Sequence, residues 1–267
     1  MPIPDERIEF AAYNGHRIAT VIHDAGGQSL VLFCHGFKGT KAGPSRLFVR
    51  AARQLADSGV SSIRFDQFGS GDSDGDFIDS SFNDWIATTA AIVEHYGSLG
   101  MRVALWGQSM GASAAIVVAS NSATVEALVA WVPDPNIDPY VPSSDGFTEE
   151  DGQRVRDAYW REARAAKVAD RLAEVRCPSH VVIAGDDAFV DEANRQALIA
   201  RAQPHHRLEV LSKLPHSAWP FDDAVRITDA SVDFLTNSFE SALSASPIPT
   251  YNVPILARNA GENEAGA

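Results

Sequence analysis

Gly107-Gln108-Ser109-Met110-Gly111 places a serine between two glycines, directly after the apolar run Val103 to Trp106 and before the small residues Ala112 to Ala115. The five-residue pattern alone is weak, since roughly one chance sequence of this length in ten would contain it. Its context is stronger. A strand that turns sharply into a helix at a serine exposes Oγ above a sheet and holds it in a strained backbone conformation. Glycines on either side leave room for the turn, where a Cβ would meet the neighbouring strand or helix. The helix N-terminus behind the serine favours negative charge developing nearby. The chemistry indicated is nucleophilic attack by Ser109, with an incidental glycine-rich turn as the alternative.

A serine hydroxyl needs a base, and the base needs an orienting carboxylate. Such partners follow the serine in the order acid, then histidine, on loops after later strands. His216 lies in Leu214-Pro215-His216-Ser217-Ala218-Trp219, after the strand-like Arg207 to Leu211. Asp187 lies in Gly185-Asp186-Asp187-Ala188-Phe189-Val190, after His180 to Ala184. Asp187 is the expected acid, with Asp186 and Asp134 as rivals. The backbone N–H groups of Phe37 and Met110 are the expected oxyanion donors. Phe37, Trp160, Phe189 and Trp219 are candidates for the substrate-binding wall. His35, beside Phe37, reads as structural rather than catalytic.

Other chemistry finds less support. Asp72-Ser73-Asp74-Gly75-Asp76 resembles the start of a calcium loop, but the sixth and twelfth positions hold Phe77 and Asn83 instead of Gly and Glu. Gly69-Ser70-Gly71 lacks the lysine of a phosphate loop and the spacing of a dinucleotide fingerprint. No Cys/His cluster has zinc spacing. Neither a metal nor a cofactor is expected.

These residues must be positioned by a scaffold, and the chain offers one. Apolar residues make up 45% of its 267 residues and charged residues 21%, the balance of a globular protein. The length suits one large domain. A net charge of −13 argues against nucleic-acid partners. No run approaches a membrane span and no signal-like segment opens the chain, so a cytoplasmic enzyme is the expectation. Cys34 and Cys177 read as core residues on strands.

Short β-rich runs alternate with helical stretches, the pattern of βαβ units and a mostly parallel sheet. Arg7 to Tyr13 and His16 to His23 flank Asn14-Gly15, a hairpin signal. Strands are expected at Leu30 to Cys34, Ser61 to Asp66, Val103 to Trp106, Ala127 to Val132, His180 to Ala184 and Arg207 to Leu211. Helices are expected at Ser45 to Asp57, Phe82 to Tyr96, Met110 to Ser120, Asp191 to Ala202 and Asp222 to Leu243. Between Pro133 and Asp170 the rhythm breaks, with four prolines, no expected strand, and one charged helix over Thr148 to Ala165. Insertions of this length are often lids.

Taken together, these motifs resemble the α/β-hydrolase superfamily from about Ile8 to Leu243. Two further blocks carry the resemblance: Phe33-Cys34-His35-Gly36-Phe37-Lys38-Gly39, and Arg64-Phe65-Asp66-Gln67-Phe68-Gly69-Ser70-Gly71-Asp72-Ser73-Asp74-Gly75. The second is similar to a loop of bacterial feruloyl and cinnamoyl esterases and related short-lid carboxylesterases. The resemblance implies one α/β domain over residues 1–267, an eight-stranded, mostly parallel sheet with helices on both faces, and a helical lid at about 134–170 that contacts substrate. It implies a small-molecule ester or acyl substrate. The same machinery would also serve a peptidase or thioesterase. Two departures stand out: Gly185 precedes Asp187 by one residue fewer than in the family pattern, and Asp191 replaces a proline. The extension at 244–267 has no counterpart in the family and is the segment through which a homodimer would form.

Overall fold

The computed structural model describes residues 5–13, 15–150 and 152–243. Its centre is an eight-stranded sheet. An antiparallel hairpin opens it: β1 (Asp5–Tyr13) pairs with β2 (His16–Asp24). Gly15, at φ 79, supplies the left-handed turn residue that this connection requires. The remaining strands are β3 (Ser29–Cys34), β4 (Ser61–Phe65), β5 (Arg102–Gln108), β6 (Val125–Trp131), β9 (Ser179–Ala184) and β10 (His206–Leu211). They lie in the order β1-β2-β4-β3-β5-β6-β9-β10. From β4 to β10 every pairing is parallel.

The central strands are apolar on both faces because helices cover both. Along β3, Leu30, Leu32 and Cys34 pack into one core, while Val31 and Phe33 pack into the other. The first core is closed by α2 (Phe82–Ser98), α3 (Met110–Asn121), α5 (Val168–Glu174) and α6 (Glu192–Arg201). The second is closed by α1 (Leu47–Asp57) and α7 (Phe221–Leu243). The same alternation runs through β5, β6 and β9, so one-residue register slips would exchange the two cores.

The insertion after β6 differs from the expectation of helix without strand. It holds a small antiparallel hairpin, β7 (Phe147–Glu150) and β8 (Gln153–Arg156), followed by a helix α4 limited to Ala158–Ala165. The charged run that reads as helix from Thr148 is therefore strand over its first half. The sequence signal for this was Asp151-Gly152, a hairpin dipeptide between two short runs. Val155, Tyr159 and Ala163 are fully buried against Phe82 and Trp85 of α2 and Met110 and Ala114 of α3. Each large apolar side chain buried this way contributes about 1.5–3 kcal/mol, so the insertion is docked on the sheet's C-terminal edge.

Cys34 is buried on β3 as expected. Cys177 is only partly buried and precedes β9, where the reading placed it on a strand. The extension at 244–267, with its expected dimer contact, lies outside the described residues. No helix among the described residues is long and apolar enough to cross a membrane.

Candidate active site

Ser109 is the residue between β5 and α3, with φ 53 and ψ −126. Such a conformation costs a non-glycine residue about 1–3 kcal/mol and persists only where the surroundings impose it. The neighbours do so. A Cβ on Gly111 would lie 2.2 Å from the carbonyl oxygens of both Cys34 and His35. One on Gly107 would lie 2.4 Å from Ala112 Cα. Both approaches are to backbone, which cannot swing aside, so the strand, turn and helix pack at a distance only glycine permits. The Ser109 N–H donates to Trp131 O at 2.8 Å, tying the turn to β6.

His216 arrives on the loop between β10 and α7. Its Nε2 is 2.9 Å from Ser109 Oγ, and its Nδ1 is 2.7 Å from Asp187 Oδ2. Asp187 also accepts the N–H groups of Phe189 and Val190 at Oδ1, each at 2.8 Å. Burial pushes the Asp187 carboxyl up. The His216 hydrogen bond and charge, with the two N–H donors, outweigh burial and hold it below its ordinary value. An ionised Asp187 can only accept, so Nδ1 carries the histidine proton and Nε2 is free to accept from Ser109 Oγ. The side chains of Asp187 and His216 are 2% and 10% exposed, which shields the pair from water.

The rival acids are elsewhere. Asp186 is exposed, and its N–H is spent on Leu214 O. Gly185, packed 2.5 Å (as a notional Cβ) from Ser212 Cα, brings the loop close enough for Asp187 to reach inward despite the shortened spacing. Asp134 leaves the end of β6 and faces the same cavity as Ser109 and His216. Its backbone is pinned to α3, with Ser113 Oγ donating to Asp134 O at 2.6 Å and accepting from Asp134 N at 3.1 Å. Its Oδ1 accepts the Asn136 N–H at 2.9 Å. Burial pushes this carboxyl up to about 6.

The cavity holds about 620 Å³, in the range of small-molecule sites. Phe37 and Met110 both border it, and neither N–H has a hydrogen-bond partner among the described residues. Met110 is the first residue of α3, where backbone donors have no intrahelical acceptor. Phe37 and Trp160 pack with ring centroids 4.8 Å apart at a 48° tilt and form an aromatic wall of the cavity. Phe189, 63% exposed, lies over the His216 ring at 5.2 Å. Trp219 is the exception. It packs on Trp131 at 5.0 Å, donates Nε1 to Pro215 O, and lies outside this cavity. The turn through His216 and Ala218 (φ 55) carries its ring into the α7-side core, so Trp219 is not part of the wall.

Glu150 and Gln153 also line the cavity, and they come from the hairpin that the sequence pattern did not predict. Lys38 Nζ meets Glu150 Oε1 at 2.6 Å, joining the segment beside Phe37 to the insertion. His35 is fully committed: Nδ1 donates to Gly36 O at 2.8 Å and Nε2 accepts the Gln67 N–H at 2.9 Å. The Asp66 to Gly75 loop is likewise structural. Asp66 accepts from Lys41 N at 2.6 Å and from Lys41 Nζ at 2.5 Å, and Asp74 pairs with Arg17 at 2.9 Å.

A parallel-centred sheet with this strand order, and a serine at a strained turn after its fifth strand, defines the α/β-hydrolase fold. The solved structures agree. Est1E from Butyrivibrio proteoclasticus, bound to ferulic acid, superimposes with a TM-score of 0.76 at 20% identity, over 87% of this chain and 99% of that one. The α/β-hydrolase GrgF from Penicillium sp. sh18 gives 0.72 at 15% identity, over 88% and 99%. A monoacylglycerol lipase from Paleococcus ferrophilus gives 0.70 at 15% identity, over 83% and 99%. Residues 27–150 match the family described as serine aminopeptidase, S33. No curated protein matches. The chain thus has the α/β-hydrolase fold.

Proposed function

We propose that this protein is a serine hydrolase that cleaves a carboxylic ester through an acyl-enzyme on Ser109. The observation that carries the reading is the continuous row Ser109 Oγ, His216 Nε2, His216 Nδ1, Asp187 Oδ2, at 2.9 and 2.7 Å, opening on one cavity. As Ser109 Oγ attacks the carbonyl carbon, its proton passes to His216 Nε2, and the imidazolium is stabilised by ionised Asp187. The carbonyl oxygen gains the negative charge and accepts from the N–H groups of Phe37 and Met110. Collapse breaks the ester bond, and the alcohol leaves with the proton from His216. Water then repeats the sequence on the acyl-enzyme, giving the acid and restoring Ser109. The substrate on this reading is a small-molecule ester.

A fluorophosphonate probe should label Ser109 in the native protein, but not in Ser109→Ala or after heat denaturation. Short-chain p-nitrophenyl esters should be turned over by the native protein alone. An unlabelled native protein with its fold intact would refute the reading. The match to a family described as serine aminopeptidase keeps a second reading in view, a peptidase or acyl-transfer enzyme using the same three residues. Turnover of aminoacyl amides or thioesters, with no turnover of esters, would select it.

A further inference from the structure

Among the charged side chains around the cavity, Asp134 has no role in the proton path just described. The reactive row uses Asp187, and Glu150 is spent on Lys38 at 2.6 Å, so that pair adds little net charge. Asp134 has one carboxylate oxygen occupied by the Asn136 N–H, and its other oxygen has no hydrogen bond among the described residues. Its backbone is clamped to α3 through Ser113, and turning its carboxylate away from the cavity would break the Asn136 N–H bond to Oδ1. A fixed, half-buried carboxylate beside aromatic walls is a poor neighbour for an anionic group and a good one for a cation.

Resting on the hydrolase reading above, we propose that Asp134 is a specificity-determining residue that favours substrates carrying a cationic, ammonium-type group near the scissile ester. The carboxylate would meet that group directly, in partly desolvated surroundings where one charge contact discriminates strongly. A neutral isostere would leave Asp134 without compensation, and a carboxylate-bearing substrate would face repulsion. The overall charge of −13 acts in the same direction at longer range.

The test compares isosteric esters: p-nitrophenyl 4-(trimethylammonio)butanoate against p-nitrophenyl 5,5-dimethylhexanoate, and butyrylcholine against 3,3-dimethylbutyl butanoate. In at least one pair, kcat/KM of the native protein should favour the cation, and Asp134→Asn should reduce that ratio by roughly tenfold. A reduction below fivefold in both pairs overturns the proposal. Asn retains the acceptor for the Asn136 N–H. Should the variant fail to fold, inhibition of the native protein decides: choline must compete with the neutral ester at a concentration at least fivefold below 3,3-dimethylbutanol, and equal potency overturns the proposal. Turnover of neutral esters with no cation preference sinks only the assignment of Asp134. Absence of any ester turnover sinks the hydrolase reading and this inference with it.

Discussion

Ser109→Gly and Ser109→Ala remove the same nucleophile and should nonetheless differ in stability. At φ 53 and ψ −126, Ser109 occupies backbone space that glycine enters freely and that alanine enters at the same cost as serine. Both variants lose the Oγ to His216 Nε2 hydrogen bond, worth about 0.5–1.5 kcal/mol, so that loss cancels in the comparison. Releasing the strain returns about 1–3 kcal/mol. Glycine's larger unfolded-state entropy takes back about 0.5–1 kcal/mol. The glycine variant should therefore exceed the alanine variant by up to roughly 2.5 kcal/mol, from these two ranges. At about 2–4 °C per kcal/mol for a chain of this size, its Tm should be higher by up to roughly 10 °C. Calorimetry on the two purified variants at one pH reads this directly, and neither should hydrolyse esters. A glycine variant melting below the alanine variant would refute strain at the turn.

Asp187→Asn should fold normally and lower kcat by roughly three to four orders of magnitude, because an amide cannot hold His216 with Nε2 free to accept; p-nitrophenyl ester kinetics measure it. Asp134 bears on stability as well. Its carboxyl lies at about 6 in the folded protein against 3.8 as the ordinary value, so the folded state holds its proton more tightly and stability falls as pH rises from about 4 through 6. The loss at pH 8 is at most about 3 kcal/mol, and Asp134→Asn should melt several degrees closer to, or above, the native protein at pH 8 than at pH 4. An equal difference at both pH values would contradict this. Trp219→Ala should lower Tm through lost packing on Trp131 while leaving KM for small esters within about twofold, since the ring lies outside the cavity; a large KM change would return Trp219 to the wall.

Much of this protein was legible in the order of its residues. The alternation of apolar runs and helical stretches determined the sheet, because a strand buried on both faces must be apolar throughout, as Leu30 to Cys34 is. Asn14-Gly15 determined the opening hairpin, since few other residue pairs tolerate that turn. Ser109 was marked by its glycines, which packing of Gly111 against the Cys34 and His35 carbonyls makes obligatory. His216 and Asp187 were marked only by their place after later strands.

Tertiary structure decided what local pattern cannot encode. Whether Asp186 or Asp187 turns inward depends on Gly185 approaching Ser212, a contact between loops 27 residues apart in sequence. The insertion's charged run supports helix by composition. Val155 and Tyr159 nevertheless bury best when a hairpin precedes a short helix, and burial outweighs weak propensity. Trp219 sits three residues after His216, and only the backbone turn at Ala218 sends its ring into the core and away from the substrate cavity. Asp134 was visible as a carboxylate after a strand. Its place beside His216, with one oxygen still unclaimed, emerged only when β6, α3 and the acid loop met around one cavity, because distances between remote residues are set by packing and not by spacing along the chain.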